Sequence, residues 1–190
     1  MESSSEMRAM RVEALRMVGI GALVGVVAGL VLMVTEMIYG WVSSAHTAWD
    51  APMAIWAWIF GLDQFGQPAD HMWPIVLGLG GHIVNSIIAG VIFVALVAAV
   101  RLRNDLLVVA LGVVYGLVLW LIMRYGILPL RDSTKVLFTT SVVSPQWVWW
   151  LAHVLFGAAI GTVYVAVRRA RVRPLSAVLH MHDDVERAAA

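Results

Sequence analysis

Four long blocks of apolar residues without a single charge constrain this chain more than any other feature of its sequence. The blocks are Met17 to Thr35, Trp73 to Val100, Leu106 to Met123 and Val136 to Val167. Each is close to or longer than the ~18 to 20 residues that an α-helix needs to cross about 30 Å of hydrocarbon. Only 13% of the residues are charged, about half the share of a soluble domain. The sequence therefore predicts an all-α integral membrane protein with four spans.

The positive charges predict the orientation of these spans. Ten of the thirteen Lys and Arg residues would lie on one side of the membrane: before the first span, between the second and third, and after the fourth. The long connection from Trp41 to Met72, on the other side, contains no Lys or Arg. Because positive residues accumulate in cytoplasmic loops, we expect a multi-pass protein of the cell (inner) membrane with both termini cytoplasmic.

The two halves of the chain resemble each other. The segment from Gly25 to Leu32 in the first span matches the segment from Gly112 to Leu119 in the third at seven of eight positions. The second and fourth spans share Pro, His, Gly, Val and Ala residues at one constant offset, which pairs His82 with His153. The simplest explanation is a duplicated two-helix hairpin, with a pseudo-two-fold axis along the membrane normal.

Small residues four positions apart occur in each span and predict close contacts between helices. The glycines are Gly25, Gly29, Gly90, Gly112, Gly116, Gly157 and Gly161. The predicted fold is a four-helix bundle made of two duplicated transmembrane hairpins, with an outer interfacial helix between spans one and two. The predicted segments are a cytoplasmic N-terminal segment 1–16, a transmembrane domain 17–168 with spans at 17–40, 73–100, 106–127 and 145–168, and a cytoplasmic tail 169–190.

The outer connection between spans one and two is unusually apolar. Its stretch from Ala51 to Phe60 is too short to cross a bilayer and too apolar for a free loop, so we expect an interfacial or re-entrant helix. Eight of the nine tryptophans would lie on this outer side. Indoles prefer the membrane interface, so these residues form either an aromatic belt or a docking surface for a partner subunit.

His82 and His153 are the most prominent polar residues within the spans. Each lies eight residues past the proline that begins its span, at about 12 Å depth. Across a pseudo-two-fold axis, two neutral imidazoles could hold the iron of haem b or share a metal ion, with Gly78, Gly80, Gly81 and Gly157 leaving room for a flat macrocycle. The alternative is that each imidazole donates a hydrogen bond to a neighbouring helix. Asn85, one turn beyond His82, extends the polar stripe under either interpretation.

Two further polar groups lie towards the outer side. Glu36 and Arg124 have similar depths, so they either form an ion pair across the bundle or separately reach the outer interface. His46 and His71, with nearby carboxylates, could bind copper or zinc, or be ordinary polar loop residues.

Several classes of function lack sequence support. The chain has no cysteine, and hence no thiolate metal site or cysteine-held iron–sulfur cluster. No phosphate-binding glycine loop or hydrolase motif is present, so we expect no enzyme. The arginines flank the spans as topology signals and can attract anionic membrane lipid, so no nucleic acid is expected.

Three functional hypotheses remain. The first is a non-catalytic membrane subunit that docks other membrane proteins, in a respiratory or redox complex. The second is an electron carrier that binds haem b between His82 and His153. The third is a transporter of a small solute or metal, with an entry path through His46, His71, Glu36 and His82.

Overall fold

The computed structural model describes residues 2–61, 63, 70, 72–131 and 145–188, with the backbone alone for residues 2, 3 and 172–188. This part of the chain contains α-helices and no strand, as the composition predicts. The α-helices are α1 (Glu2–Val42), α2 (Asp50–Phe60), α3 (Met72–Val100), α4 (Asp105–Leu121) and α5 (Gln146–Ala188).

Four of these helical segments are long and apolar enough to cross a membrane, which confirms the expectation of four long apolar helices. The candidate spans are Ser4–Val42, Met72–Val100, Asp105–Leu130 and Gln146–Arg171. Both terminal helices continue beyond the apolar blocks, since α1 begins at Glu2 and α5 ends at Ala188. The N-terminal segment and most of the C-terminal tail are therefore helical continuations of their spans.

The short connection between α3 and α4 follows from its local sequence. Arg101 adopts a left-handed conformation with φ of 56°. The amide of Arg101 donates to the carbonyl of Ala98 and that of Leu102 to the carbonyl of Val97, as in a Schellman motif. Asn104 then caps α4, because its Oδ1 accepts a hydrogen bond from the amide of Leu107 at 3.2 Å. Four residues thus end one span and begin the next.

The outer end of α4 departs from regular α-helix. Residues Ile122–Ile127 form a π-helical turn, and Leu128–Leu130 follow as a 3₁₀ turn. Pro129 lacks an amide proton and cannot continue the ladder of hydrogen bonds. The irregular segment carries Arg124, the one basic residue of the π-helical turn.

Glycines hold the first hairpin, α1 with α3, in direct backbone contact. A methyl group added at Gly25 would collide with the carbonyl of Ser86, and one added at Gly90 would collide with the carbonyl of Gly21. A methyl group at Gly29 would strike the Ser86 side chain. Lipid tails are as apolar as the helices, so such contacts stabilise the hairpin through van der Waals packing.

The second hairpin, α4 with α5, is packed in the same manner. A methyl group at Gly112 would collide with the carbonyl of Gly157, and one at Gly116 with the carbonyl of His153. A methyl group at Gly161 would lie 2.7 Å from the Cα atom of Val109, well inside van der Waals contact.

The two hairpins meet asymmetrically. Helices α1 and α5 pack closely, whereas the backbones of α3 and α4 approach each other at few points. Aromatic side chains bridge the wider side: the Phe93 and Tyr115 rings are 5.5 Å apart, and the Tyr115 hydroxyl donates to the carbonyl of Ala89 at 2.8 Å. The position in α1 that corresponds to Tyr115 is Ala28, which is fully buried. A methyl group permits close helix approach where a phenol does not.

Helix α2 packs against the outer half of α3. The first half of α2 is buried: the buried residues of this helix are Asp50, Ala51, Pro52, Met53, Ala54 and Ala57. The carbonyl of Pro52 occupies the space where Gly78 lacks a side chain. The Trp58 indole donates to the carbonyl of Leu128 at 3.1 Å and so ties α2 to the outer end of α4.

Candidate functional site

His82 is half-buried between α3 and α1. Its Nε2 lies 2.9 Å from the carbonyl oxygen of Gly29. A carbonyl can only accept a hydrogen bond, so Nε2 carries the proton and Nδ1 keeps a lone pair. The Ser86 hydroxyl, one turn further along α3, donates to the carbonyl of His82 at 2.8 Å. The imidazole thus joins two helices beside the tightest part of their contact.

His153 is buried within α5, with 7% of its surface exposed. Its Nδ1 lies 2.8 Å from the carbonyl oxygen of Trp149, four residues earlier on the same helix. Nδ1 therefore donates, and Nε2 keeps the lone pair. The Trp149 indole lies edge-on to the imidazole, with ring centroids 5.7 Å apart. In contrast to His82, this histidine forms its hydrogen bond within one helix.

His82 and His153 have similar backbone partners. Each has one nitrogen engaged by a backbone carbonyl and one with a free lone pair. Such a carbonyl partner is common behind metal-bound histidines, but it equally satisfies a structural histidine. The hydrogen bonds alone do not separate the two roles.

The glycines near the histidines show how much room the helices leave there. The prediction that Gly78 and Gly157 leave room for a macrocycle is wrong, because the carbonyls of Pro52 and Gly112 fill those positions. Gly81 lies against the Ile55 side chain, 3.7 Å from where a methyl group would be. No atom lies within 4 Å of a methyl group added at Gly80, which is exposed on α3. The binding of haem b between His82 and His153 stays a prediction, which the filled positions at Gly78 and Gly157 do not favour.

Glu36 and Arg124 lie near the outer ends of α1 and α4. The Glu36 Oε1 atom is buried and has no hydrogen-bond partner among the described residues. Arg124 lies over the Trp149 indole, 5.9 Å from its centroid, within reach of a cation–π interaction. The ion pairs of the described residues do not include Glu36. Its pairing with Arg124 therefore stays a prediction.

His46 belongs to a buried group in the connection between α1 and α2. Its Nδ1 is 3.4 Å from Oδ2 of Asp50, and both side chains are largely buried. Asp50 also accepts hydrogen bonds from the amide and hydroxyl of Thr47, which holds the start of α2. His71 lies outside the described residues. Within the described residues, no group of three or more His, Asp or Glu side chains is arranged to hold a metal ion.

Two arginines of α5, which the sequence indicates as topology signals that can attract anionic lipid, bind the beginning of α4 and the connection before it. Arg168 donates to the carbonyls of Leu102 and Arg103, each at 2.9 Å, and to the Asp105 carboxylate. Arg169 also binds this carboxylate, with Nε at 2.6 Å. The sequence contains a signal that could have predicted this contact. Asp105 directly follows the helix cap Asn104, and the pair Arg168 and Arg169 lies at the end of another span.

Asn85 is exposed on the surface of α3 and makes no hydrogen bond with the described residues. The structure thus separates it from His82, which turns towards α1. The predicted continuous polar stripe is therefore divided between the inside of the bundle and its outer surface.

Comparisons with protein-family models, with curated proteins and with solved structures find no match.

Proposed function

We propose that this chain is a non-catalytic integral membrane subunit that docks partner proteins in a respiratory or other redox complex. Two features support this function. The helices contact each other directly inside the bundle, and large apolar residues are exposed on its surface. His82, His153 and His46 are each engaged by a carbonyl or carboxylate. These contacts favour structural roles for the histidines over a haem site or a transport path.

The observation that carries the proposal is the exposure of indole rings at the outer end of the bundle. Trp41, Trp73 and Trp147 are 80%, 70% and 54% exposed, and Trp49 and Trp150 are 40% and 42% exposed. Tryptophan is strongly enriched where one protein binds another, because a large rigid ring buries much surface at low entropic cost. A cluster of five such rings provides the anchors for a partner that covers the outer face.

The orientation and the duplication are part of the same proposal. Arg101, Arg103, Arg168 and Arg169 lie at one end of the bundle, which supports a cytoplasmic location for that end. The contact of Gly25 with Ser86 in the first hairpin corresponds, by the sequence offsets, to the contact of Gly112 with Gly157 in the second. This correspondence supports duplicated hairpins. The exposed indoles at the end of the bundle where α2 lies support the assignment of α2 as an interfacial helix in the inner membrane.

The test is gentle extraction from the native membrane, followed by size measurement and identification of co-purifying proteins. We expect the chain to migrate with other membrane proteins. Combined replacement of Trp41, Trp73 and Trp147 by Ala should release these partners. As a matched control, Leu30, Val118 and Leu155, which are exposed along the spans, should tolerate replacement by Ala. A chain that migrates alone, or indole and control variants that behave alike, would refute the proposal.

A further inference from the structure

One exposed stripe of α3 has the spacing of a helix-pairing seam. The α3 seam consists of Asn85, Ile88, Ile92, Ala95 and Ala99, and all five residues are exposed. The steps between them are three, four, three and four residues, which is the repeat by which two helices pack in a left-handed pair. Ile88 and Ile92 are 53% and 52% exposed. Each side chain is therefore available to pack between the side chains of a second helix.

The amide at the outer end of this seam requires a partner. Asn85 lies thirteen residues after Met72 in a helix of 29 residues, near the middle of the span. Hydrocarbon offers no hydrogen bonds there, and an unsatisfied polar group in lipid is strongly unfavourable. No described residue supplies a hydrogen bond to Asn85, which leaves its amide available to a partner on a neighbouring helix.

The second hairpin shows that the repeat does not itself need this amide. By the offset that pairs His82 with His153, Asn85 corresponds to Phe156, which is buried with 3% exposure in the core cluster. The polar residue thus occurs only in the hairpin where this position faces outwards. That difference points to a role for Asn85 at the surface of α3.

We propose that the α3 seam binds the α3 seam of a second copy of this chain, with the two Asn85 side chains hydrogen-bonded to each other. An amide is both donor and acceptor, so it is complementary to an identical amide. A two-fold axis along the membrane normal keeps the two Asn85 residues at equal depth and retains the orientation of both chains. A single Asn in an otherwise apolar seam also fixes the register and number of the paired helices. This proposal does not depend on the proposed function.

The first experiment measures self-association of the purified chain in lipid vesicles, by energy transfer between labelled copies as lipid dilutes them. We expect a dimer, and Asn85→Leu should weaken it by about threefold to tenfold, the range for polar contacts between membrane helices. Thr162→Leu, which removes an exposed polar residue from α5, should leave the dimer unchanged. A monomeric wild type, or equal effects of both replacements, would overturn the proposal.

A second experiment identifies the surface and does not depend on the stability of the Asn85 variant. The chain has no cysteine, so single cysteines can be introduced one at a time and oxidised in vesicles. Ile88→Cys, Ile92→Cys and Ala95→Cys should cross-link two copies. Val114→Cys and Val118→Cys, on the exposed side of α4, should not. Stronger cross-linking through α4 than through the α3 seam would contradict the assigned interface. Because the sample contains only this chain, the result is separate from the search for other subunits.

Discussion

The two hairpins share their internal packing but differ in the polar groups that surround it. In both, glycines bring backbones into direct contact, at Gly25 with Ser86 and at Gly112 with Gly157. The first hairpin adds a histidine hydrogen bond between its helices and leaves Asn85 exposed. The second keeps its histidine bond within α5 and is fastened at its inner end by Arg168. Direct backbone contact is thus common to the two hairpins, and the polar residues distinguish them.

The difference also appears where the hairpins meet. Ala28 in α1 lets α1 approach α5, whereas Tyr115 in α4 holds α3 at a distance and binds its backbone. Ala28 and Tyr115 occupy corresponding positions of the two halves of the sequence but differ in size. Because of this difference, α1 packs closely against α5, whereas α4 stays further from α3.

Leucine at the central glycines should be the most damaging change. Gly25→Leu and Gly112→Leu each force a side chain into the backbone of a neighbouring helix, and each should destabilise the fold by about 3 kcal/mol or more. Gly80→Leu is the matched control, because no atom lies within 4 Å of the added position. Reversible unfolding in mixed detergent measures all three. If Gly80→Leu were as harmful as the other two, direct backbone contact would not be the reason.

Replacement of Arg168 should lower the free energy of unfolding, because Arg168 fastens α5 of the second hairpin to the α3–α4 connection. Arg168→Ala removes two hydrogen bonds to carbonyls of the α3–α4 connection and should cost about 2 kcal/mol. Arg168→Lys should recover only part of this loss, because an ammonium lacks the fork that reaches several acceptors. Arg171→Ala, an exposed arginine one turn further along α5, serves as the control in the same unfolding assay. Equal effects of the replacements at residues 168 and 171 would reduce Arg168 to a topology signal.

The two histidines should differ when each is replaced by Leu. His82→Leu removes a hydrogen bond between α1 and α3 and should cost about 1 kcal/mol. His153→Leu removes a bond within α5, which does not hold two helices together, and should cost less. The same unfolding assay ranks them, and an optical spectrum of each sample checks for haem. A b-type spectrum that disappears in both variants would contradict the structural role given to the pair.

Glycine at position 101 should produce the smallest effect, a modest gain in stability. Arg101 holds a left-handed conformation, with φ of 56°, in the motif that ends α3. Such a conformation costs a side-chain-bearing residue about 1 kcal/mol, and glycine adopts it freely. Arg101→Gly should therefore stabilise the α3–α4 connection by up to about 1 kcal/mol, whereas Arg103→Gly, two residues later, should not. If neither variant were more stable than the wild type, the Arg101 side chain would make contacts that compensate for the cost of its left-handed backbone.

The sequence predicts the spans well because hydropathy and length act locally. Blocks such as Trp73 to Val100 have no soluble alternative once charges are absent for more than 20 residues. The α-helix at Asp50–Phe60 also follows from an apolar stretch too short to cross. The extension of α5 to Ala188 does not follow, because a polar helix beyond the membrane has no hydropathy signal.

The candidate site was less predictable because it depends on what fills the space between helices. Glycines near His82 and His153 indicate either a cofactor cleft or direct backbone contact, and the sequence does not distinguish the two. The structure assigns Gly78 and Gly157 to backbone contact. Likewise, the one-turn spacing of His82 and Asn85 does not reveal that one turns inwards and the other remains exposed.

Mass measurement of the assembly extracted in its native lipid tests the central claim, that this bundle is a docking subunit, most directly. We expect particles that contain two copies of this chain together with other membrane proteins. Their protein mass should exceed twice the 20.8 kDa of one chain. Particles of two copies without other proteins would retain the α3 seam and refute the docking of partner subunits. Single chains of 20.8 kDa would contradict both.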